Sequence, residues 1–312
     1  VSLGVSRRFL NLERGPTTIA ECLAAAGYDT VALSNNSNVS PLFGFAQGFR
    51  KFLKYPGKQD AEVLVADLER WYAEHGGERP WFSYLHLTDP HYPYAAPEPF
   101  LGMWDETGSD FQPSHDFMRE VHEGKTAPTE EQLQHLMDAY DEELRYTDSV
   151  LAPLIRRVRE RDPNTVVVLV GDHGDEFLEH GALGHSHVLF DELTWVPLLI
   201  WAPGVEGRRV AAQVPLLDIR PTILELIGAQ ALDPKDGGES LVPLMRTGEG
   251  DDRPAPMETG GDHEPPWQLR GIVMRHDGRL WKLIRPEVSE LPAEAKALLY
   301  ATEQEPREQQ NP

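Results

Sequence analysis

Six consecutive residues, Thr165-Val166-Val167-Val168-Leu169-Val170, are apolar but for one hydroxyl and run directly into Gly171-Asp172-His173-Gly174-Asp175-Glu176. A strand without a polar face needs cover on both sides, which is the situation of a central strand in a parallel sheet. The turn that follows, with a glycine on either side of Asp172-His173, leaves from the carboxyl edge of that sheet. Open α/β sheets hold their ligands there. These twelve residues therefore point to a layered α/β fold with its chemistry at the end of this strand.

The remaining pattern agrees. Val196–Trp201 is a second apolar run, and Thr30–Leu33 and Trp81–Leu87 read as further strands. Helical periods alternate with them. Ile19, Leu23 and Ala26 form a stripe opened by Thr18 with Glu21 at capping-box spacing and stopped by Gly27. Gln59–Gly76 and Asp218–Gly228 read as helices. A longer one starts at Thr129, keeps its period from Leu133 to Val158 and breaks at Asp162-Pro163-Asn164. Strands alternating with helices predict a mostly parallel central sheet covered on both faces. Residues 37–58 read as a packed loop without regular structure, and residues 95–128 as a Pro- and Gly-rich excursion. Beyond about residue 230 the composition turns to Gly, Pro and charge, and Ile272–Met274 and Leu280–Ile284 flank Asp277-Gly278 as a β-hairpin. The expected organisation is a core over residues 1–230, a small C-terminal subdomain with the hairpin over 231–300, and a frayed tail over 301–312.

Charge narrows the partners. The 312 residues carry 51 Asp+Glu against 29 Lys+Arg, a formal charge of -22. Such a surface repels phosphate backbones, which argues against nucleic acid. An anionic substrate would have to be drawn in by a local positive site such as a metal ion. No stretch approaches the roughly 18 apolar residues of a membrane span. The single cysteine, Cys22, excludes an intramolecular disulfide and leans toward a cytoplasmic location.

Asp172 and His173 offer a carboxylate and an imidazole from adjacent positions, a usable pair of ligands for a divalent cation. His180, His185 and His187 follow soon after. His185 lies between Gly184 and Ser186, where an anion can approach closely. His187 stays open between ligand, anion contact and helix cap, and His180 is expected to be exposed. His91 lies in Thr88-Asp89-Pro90-His91-Tyr92-Pro93-Tyr94, which its prolines force into a loop. Asn35-Asn36 reads as a turn, His115, His122 and His135 as surface residues, and Lys282 as a solvated charge.

The run GDHGDEFLEHGALGHSHVLFDELTWVPLLIWAPG resembles the carboxyl-terminal half of the sulfatase family, within the alkaline phosphatase superfamily. The resemblance rests on Asp172-His173-Gly174, Gly184-His185, Phe190-Asp191-Glu192, Val196-Pro197-Leu198 and Pro203-Gly204. Other pieces fall in family order: Pro16-Thr17-Thr18-Ile19-Ala20 with Ala26-Gly27-Tyr28, His86–Tyr94, Asp218-Ile219-Arg220-Pro221-Thr222 and Gly238-Glu239-Ser240-Leu241. The resemblance implies an alkaline-phosphatase-like α/β sandwich with a small C-terminal hairpin lobe. It implies a metal-dependent hydrolase of sulfate monoesters whose substrate is a small-molecule or saccharide sulfate ester. It makes Asp172 and His173 metal ligands, and His91 and His185 contacts to the sulfate or phosphate. It also implies one divalent cation, with Ca²⁺ the family's usual ion. An imidazole ligand at His173 leans instead toward Mn²⁺, Mg²⁺ or Zn²⁺.

The family's nucleophile motif, Cys/Ser-x-Pro-x-Arg, does not occur in these 312 residues, nor does the family's early strand of metal-binding aspartates. The expectation is an amino-terminally truncated chain, inactive on its own. Two alternatives stand beside the sulfatase reading. One is a phosphodiesterase, phosphonate monoesterase or phosphoethanolamine transferase of the same superfamily. The other is a non-catalytic relic or binding protein that keeps the fold.

Overall fold

The computed structural model describes residue 12 and residues 17–57, 60–75, 79–233, 237–260, 268–287 and 298–301. They fall into two compact units, one drawn from residues 11–165 with 181–183, the other from 166–180 and 184–312.

The first unit is built on a parallel three-stranded sheet. Helix α1 (Ile19–Ala25) opens with the expected capping box: the Thr18 hydroxyl accepts from the Glu21 amide at 3.1 Å, and the Glu21 carboxylate accepts from the Thr18 amide at 2.8 Å. Strand β1 (Asp29–Ser34) follows and is buried along its whole length, because it lies between β2 (Lys51–Lys54) and β3 (Trp81–His86), both parallel to it. Strand β2 corrects the expectation of an irregular 37–58. Four residues with lysines at both ends carry too little alternation to be seen in sequence, and the pairing with β1 decides their conformation. Helix α2 (Ala61–His75) connects β2 to β3 and sets Leu64, Leu68 and Trp71 into the core with Val31 and Leu33.

Helix α3 (His115–His122) lies inside the excursion, where the sequence suggested none. Helix α4 (Glu130–Arg161) begins at the expected Thr129 cap and supplies Tyr146, Val150 and Leu154 to the same core. Two of its buried residues are acidic. Glu142 accepts backbone N–H bonds from Gly102, Trp104 and Asp105, and Glu143 accepts one from Ala95. A buried carboxylate is tolerated when charge-assisted hydrogen bonds replace its water, so these two carboxylates fold the excursion onto α4.

In the second unit, β4 (Val167–Val170) follows the apolar run and is succeeded by the short segment β5 (Glu176–Phe177), by β6 (Leu183–Gly184), of which Gly184 belongs to this unit, and by helix α5 (Asp191–Thr194). Strand β7 (Leu198–Trp201) pairs with β4 antiparallel, Val167 opposite Trp201 and Val170 opposite Leu198. This departs from the expected parallel strand buried on both faces. Among the described residues β7 is the one ladder partner of β4, and Val170 stays 39% exposed.

Helix α6 (Ile219–Ile227) ends on Gly228 in the left-handed region, and α7 (Val242–Thr247) follows. Here two of the family-like pieces hold each other. Asp218 accepts from the Glu239 amide, and the Thr222 hydroxyl accepts from the Leu241 amide, both at 2.8 Å. The unit ends in an antiparallel sheet of β8 (Ala255–Gly260), β9 (Gln268–His276), β10 (Arg279–Glu287) and β11 (Leu298–Ala301), in the order β11-β10-β9-β8. The β9–β10 hairpin turns at Asp277 and Gly278, both with positive φ, as the Asp-Gly signal predicts. No helix among the described residues is long and apolar enough to cross a membrane.

Candidate active site

The loop after β4 is fixed at its two glycines. The Gly171 amide donates to the Pro197 carbonyl at 3.2 Å, and the Gly174 amide donates to the Leu193 carbonyl at 3.0 Å. A Cβ on Gly171 would already touch Val196 and Pro197, and one on Gly174 would run into the Glu192 carbonyl oxygen. A glycine is therefore required at Gly174, Gly171 leaves room only for a tight contact, and the loop packs against α5.

Within the loop the His173 amide donates to Asp172 Oδ1 at 3.1 Å, and His173 Nδ1 lies 3.0 Å from the Gly174 carbonyl oxygen. A carbonyl only accepts, so Nδ1 carries the proton and the neutral ring holds its lone pair on Nε2. The His173 and His185 rings lie 4.1 Å apart, tilted by 33°. His185 Nδ1 stands 2.6 Å from Asp175 Oδ1, and the Asp175 side chain is only 4% exposed.

His173, Asp175 and His185 each offer a ligand atom, and these atoms lie within 4.8 Å of one another. A cation with bonds of about 2.1 Å holds its donors no more than about 4.2 Å apart, so small side-chain rotations close the set. Two imidazoles and a carboxylate suit Zn²⁺ or Mn²⁺ better than an all-oxygen ion such as Ca²⁺. A cation there would polarise a sulfuryl or phosphoryl oxygen.

The expected site residues divide as follows. His173 and His185 meet. Asp172 lies beside them and is 66% exposed, with its carboxylate 3.9 Å from His173 Nε2. His91 belongs to the first unit, half-buried, with Nδ1 2.5 Å from the Tyr92 carbonyl. In that same unit the ends of β1 and β3 come together, with Asn36 Nδ2 3.2 Å from His86 Nε2.

Several side chains stand elsewhere than the sequence suggests. His187 pairs with buried Glu176 at 2.8 Å. His180 is stacked on Phe190 at 3.6 Å rather than exposed, and its Nδ1 is 3.6 Å from Glu192. Burial raises the Glu192 pKa above its ordinary 4.5. His135 is also buried and bonds Asp105 at 2.8 Å. Lys282, read as a solvated charge, is fully buried beside Asp191.

Asp175 is the site residue that sequence reading passed over. The available signal was its spacing: on an extended chain, residues two apart share a face, and Asp175 stands two beyond His173.

A family model described as Sulfatase matches residues 4–229. Arylsulfatase K of Danio rerio is 36% identical over 123 residues, which are 38% of this chain and 23% of that protein, so the chain covers about a quarter of that relative's length. Among solved structures, a protein in complex with its substrate D-glucosamine-2-N,6-O-disulfate superposes with a TM-score of 0.71 at 16% identity, over 99% of this chain and 80% of that one. A phosphonate monoester hydrolase from Silicibacter pomeroyi has a TM-score of 0.71 at 18% identity, over 97% of this chain and 77% of that one. Similarity at this level of identity establishes the fold, an alkaline-phosphatase-like mixture of a parallel sheet and an antiparallel C-terminal sheet.

Proposed function

Since this chain belongs to the sulfatase family, we propose that its site serves metal-dependent hydrolysis of sulfate monoesters. The observation that carries the reading is the convergence of His173, Asp175 and His185 beside Asp172 on the loop after β4. In this reading His173 would hold a divalent cation together with Asp172, Asp175 or both. A cation held by these residues would supply the local positive charge that a sulfate ester needs to approach a chain of net charge -22. His185, oriented by Asp175, faces the bound anion, and when protonated it donates to the bridging oxygen. For His91, which belongs to the first unit, the role of anion contact is implied by its motif alone. The substrate class is a small-molecule or saccharide sulfate ester, in line with the sulfated saccharide bound to a protein of similar fold.

A second reading, a phosphonate monoester or phosphodiester hydrolase, is favoured by the two imidazoles at the cation set and by the fold similarity to a phosphonate monoester hydrolase. No Cys/Ser-x-Pro-x-Arg sequence occurs in the 312 residues, so this chain on its own is expected to bind without turnover.

The test therefore reads binding. The chain is titrated by calorimetry with Mn²⁺, Zn²⁺ and Ca²⁺, then with an aryl sulfate and an aryl phosphonate ester with and without the ion. Ester binding that needs the cation and is lost in His173→Ala supports the proposal, and a preference for the phosphonate favours the second reading. Absence of any cation-dependent ester binding rejects both.

A further inference from the structure

Lys282 is a buried ammonium that the proposed chemistry does not use. It lies on β10 with no exposed surface, and its Nζ meets three acceptors: the Leu189 carbonyl at 3.0 Å, Asp191 Oδ1 at 2.5 Å and the Thr194 hydroxyl at 3.1 Å. Three acceptors match the three donors of an ammonium. All of them belong to α5 or to the two residues before it. That helix has four residues and a phenylalanine, Phe190, at its N-cap with no side-chain cap bond. A single turn of this kind has no stability of its own in water. Its position is set by what grips it.

The same turn is the wall against which the metal-site loop rests. The Gly174 amide bonds the Leu193 carbonyl, and the Glu192 carbonyl fills the space a Gly174 side chain would need. Gly174 stands between His173 and Asp175, and its own carbonyl faces His173 Nδ1 at 3.0 Å. A shift of α5 is therefore handed to both residues through one backbone contact. Replacing a buried ion pair with apolar packing is often neutral or stabilising, so stability alone does not call for a lysine here.

We infer that Lys282 is a positioning residue for the His173–Asp175–His185 cluster, acting through the Leu189–Thr194 turn. The inference rests on the reading of that cluster as a cation site.

The experiment compares the full chain with Lys282→Met, Lys282→Arg and Thr194→Val. Folding is followed by melting, the histidine ring resonances by NMR, and Mn²⁺ affinity by calorimetry. In Lys282→Met the His173 and His185 resonances are expected to move and Mn²⁺ affinity to fall about tenfold, the scale typical of groups that orient metal ligands. Lys282→Arg, which keeps the charge and donors, is expected to restore part of both. Thr194→Val removes one acceptor and is expected to move the same resonances less. If Lys282→Met folds and leaves the resonances and affinity unchanged, the inference is overturned. If Lys282→Met does not fold, Thr194→Val decides by the same two readings. A wild-type chain that binds no cation would sink the functional reading, while the resonances still report whether Lys282 reaches the loop.

Discussion

His185 Nδ1 lies 2.6 Å from Asp175 Oδ1, and the carboxylate of that pair is almost wholly removed from solvent. An ionised carboxylate only accepts, so the bond fixes the imidazole proton on Nδ1 and the neutral ring's lone pair on Nε2. The dyad thus sets both the direction and the tautomer of the imidazole whose ring lies 4.1 Å from that of His173. Asp175→Asn keeps the shape and removes the charge. Cation or ester affinity is expected to drop by about tenfold to a hundredfold, measured by calorimetry on a variant whose melting remains cooperative. Unchanged affinity would show that Asp175 is a packing residue.

The donor set makes a statement about the ion. With the His173 imidazole and the Asp172 and Asp175 carboxylates in reach, Zn²⁺ and Mn²⁺ are expected to bind more tightly than Ca²⁺. His173→Ala should remove that preference together with most of the affinity. Asp172→Ala and Asp175→Ala, compared side by side, identify the carboxylate that ligates. Tighter binding of Ca²⁺ than of Zn²⁺ would contradict the assignment of His173 as a ligand.

Glu192 gives a prediction in pH. Burial raises its carboxyl pKa above the ordinary 4.5, with His180 opposing the shift and Glu179 and Asp191 adding to it. For a raised acid, the stability it contributes is complete below the unfolded value and is lost as pH rises through the folded one. Glu192→Gln removes that loss and leaves the backbone carbonyl against Gly174 in place. The variant is expected to melt higher than the parent at neutral pH and to show a flatter pH dependence above 4.5. A lower melting temperature across the whole range would mean that the charge contributes favourably through His180.

Glu142 is the peg of the excursion. It accepts from Gly102, Trp104 and Asp105. Glu142→Leu would leave those amides without their acceptor; a hydrogen bond to a charged group contributes about 1.5–3 kcal/mol, less where water can replace it, as at the exposed Gly102 and Trp104. A loss of several kcal/mol is expected in urea unfolding, with faster hydrogen exchange at the three amides. Unaltered exchange would show that the loop is held by its apolar contacts, such as Phe100 on Tyr146.

What sequence makes visible here is local chemistry. The Thr18 capping box, the Thr129 cap, the Asp277-Gly278 turn and the loop glycines around Asp172-His173 each follow from a few adjacent residues, and each is found in place. What stays hidden is decided by distant chain. Lys282 loses its solvent to a turn about ninety residues earlier in the sequence, and His180 to a ring ten residues on. Strand β2 exists because β1 offers an unpaired edge. The default for a charged side chain is a wet surface, and nothing near Lys282 or His135 in the sequence signals otherwise. Asp175 lies between these cases. Its neighbours are plain to read, but the direction of its side chain depends on where His185 returns.

The residue that grips α5 comes from the far side of the composition break near residue 230. Shortening the chain at that break would strip Asp191 of its cation and let the turn beneath Gly174 drift. A trimmed version sought for crystals or expression would then keep every residue of the GDHG motif and still lose the geometry that gives the motif a purpose.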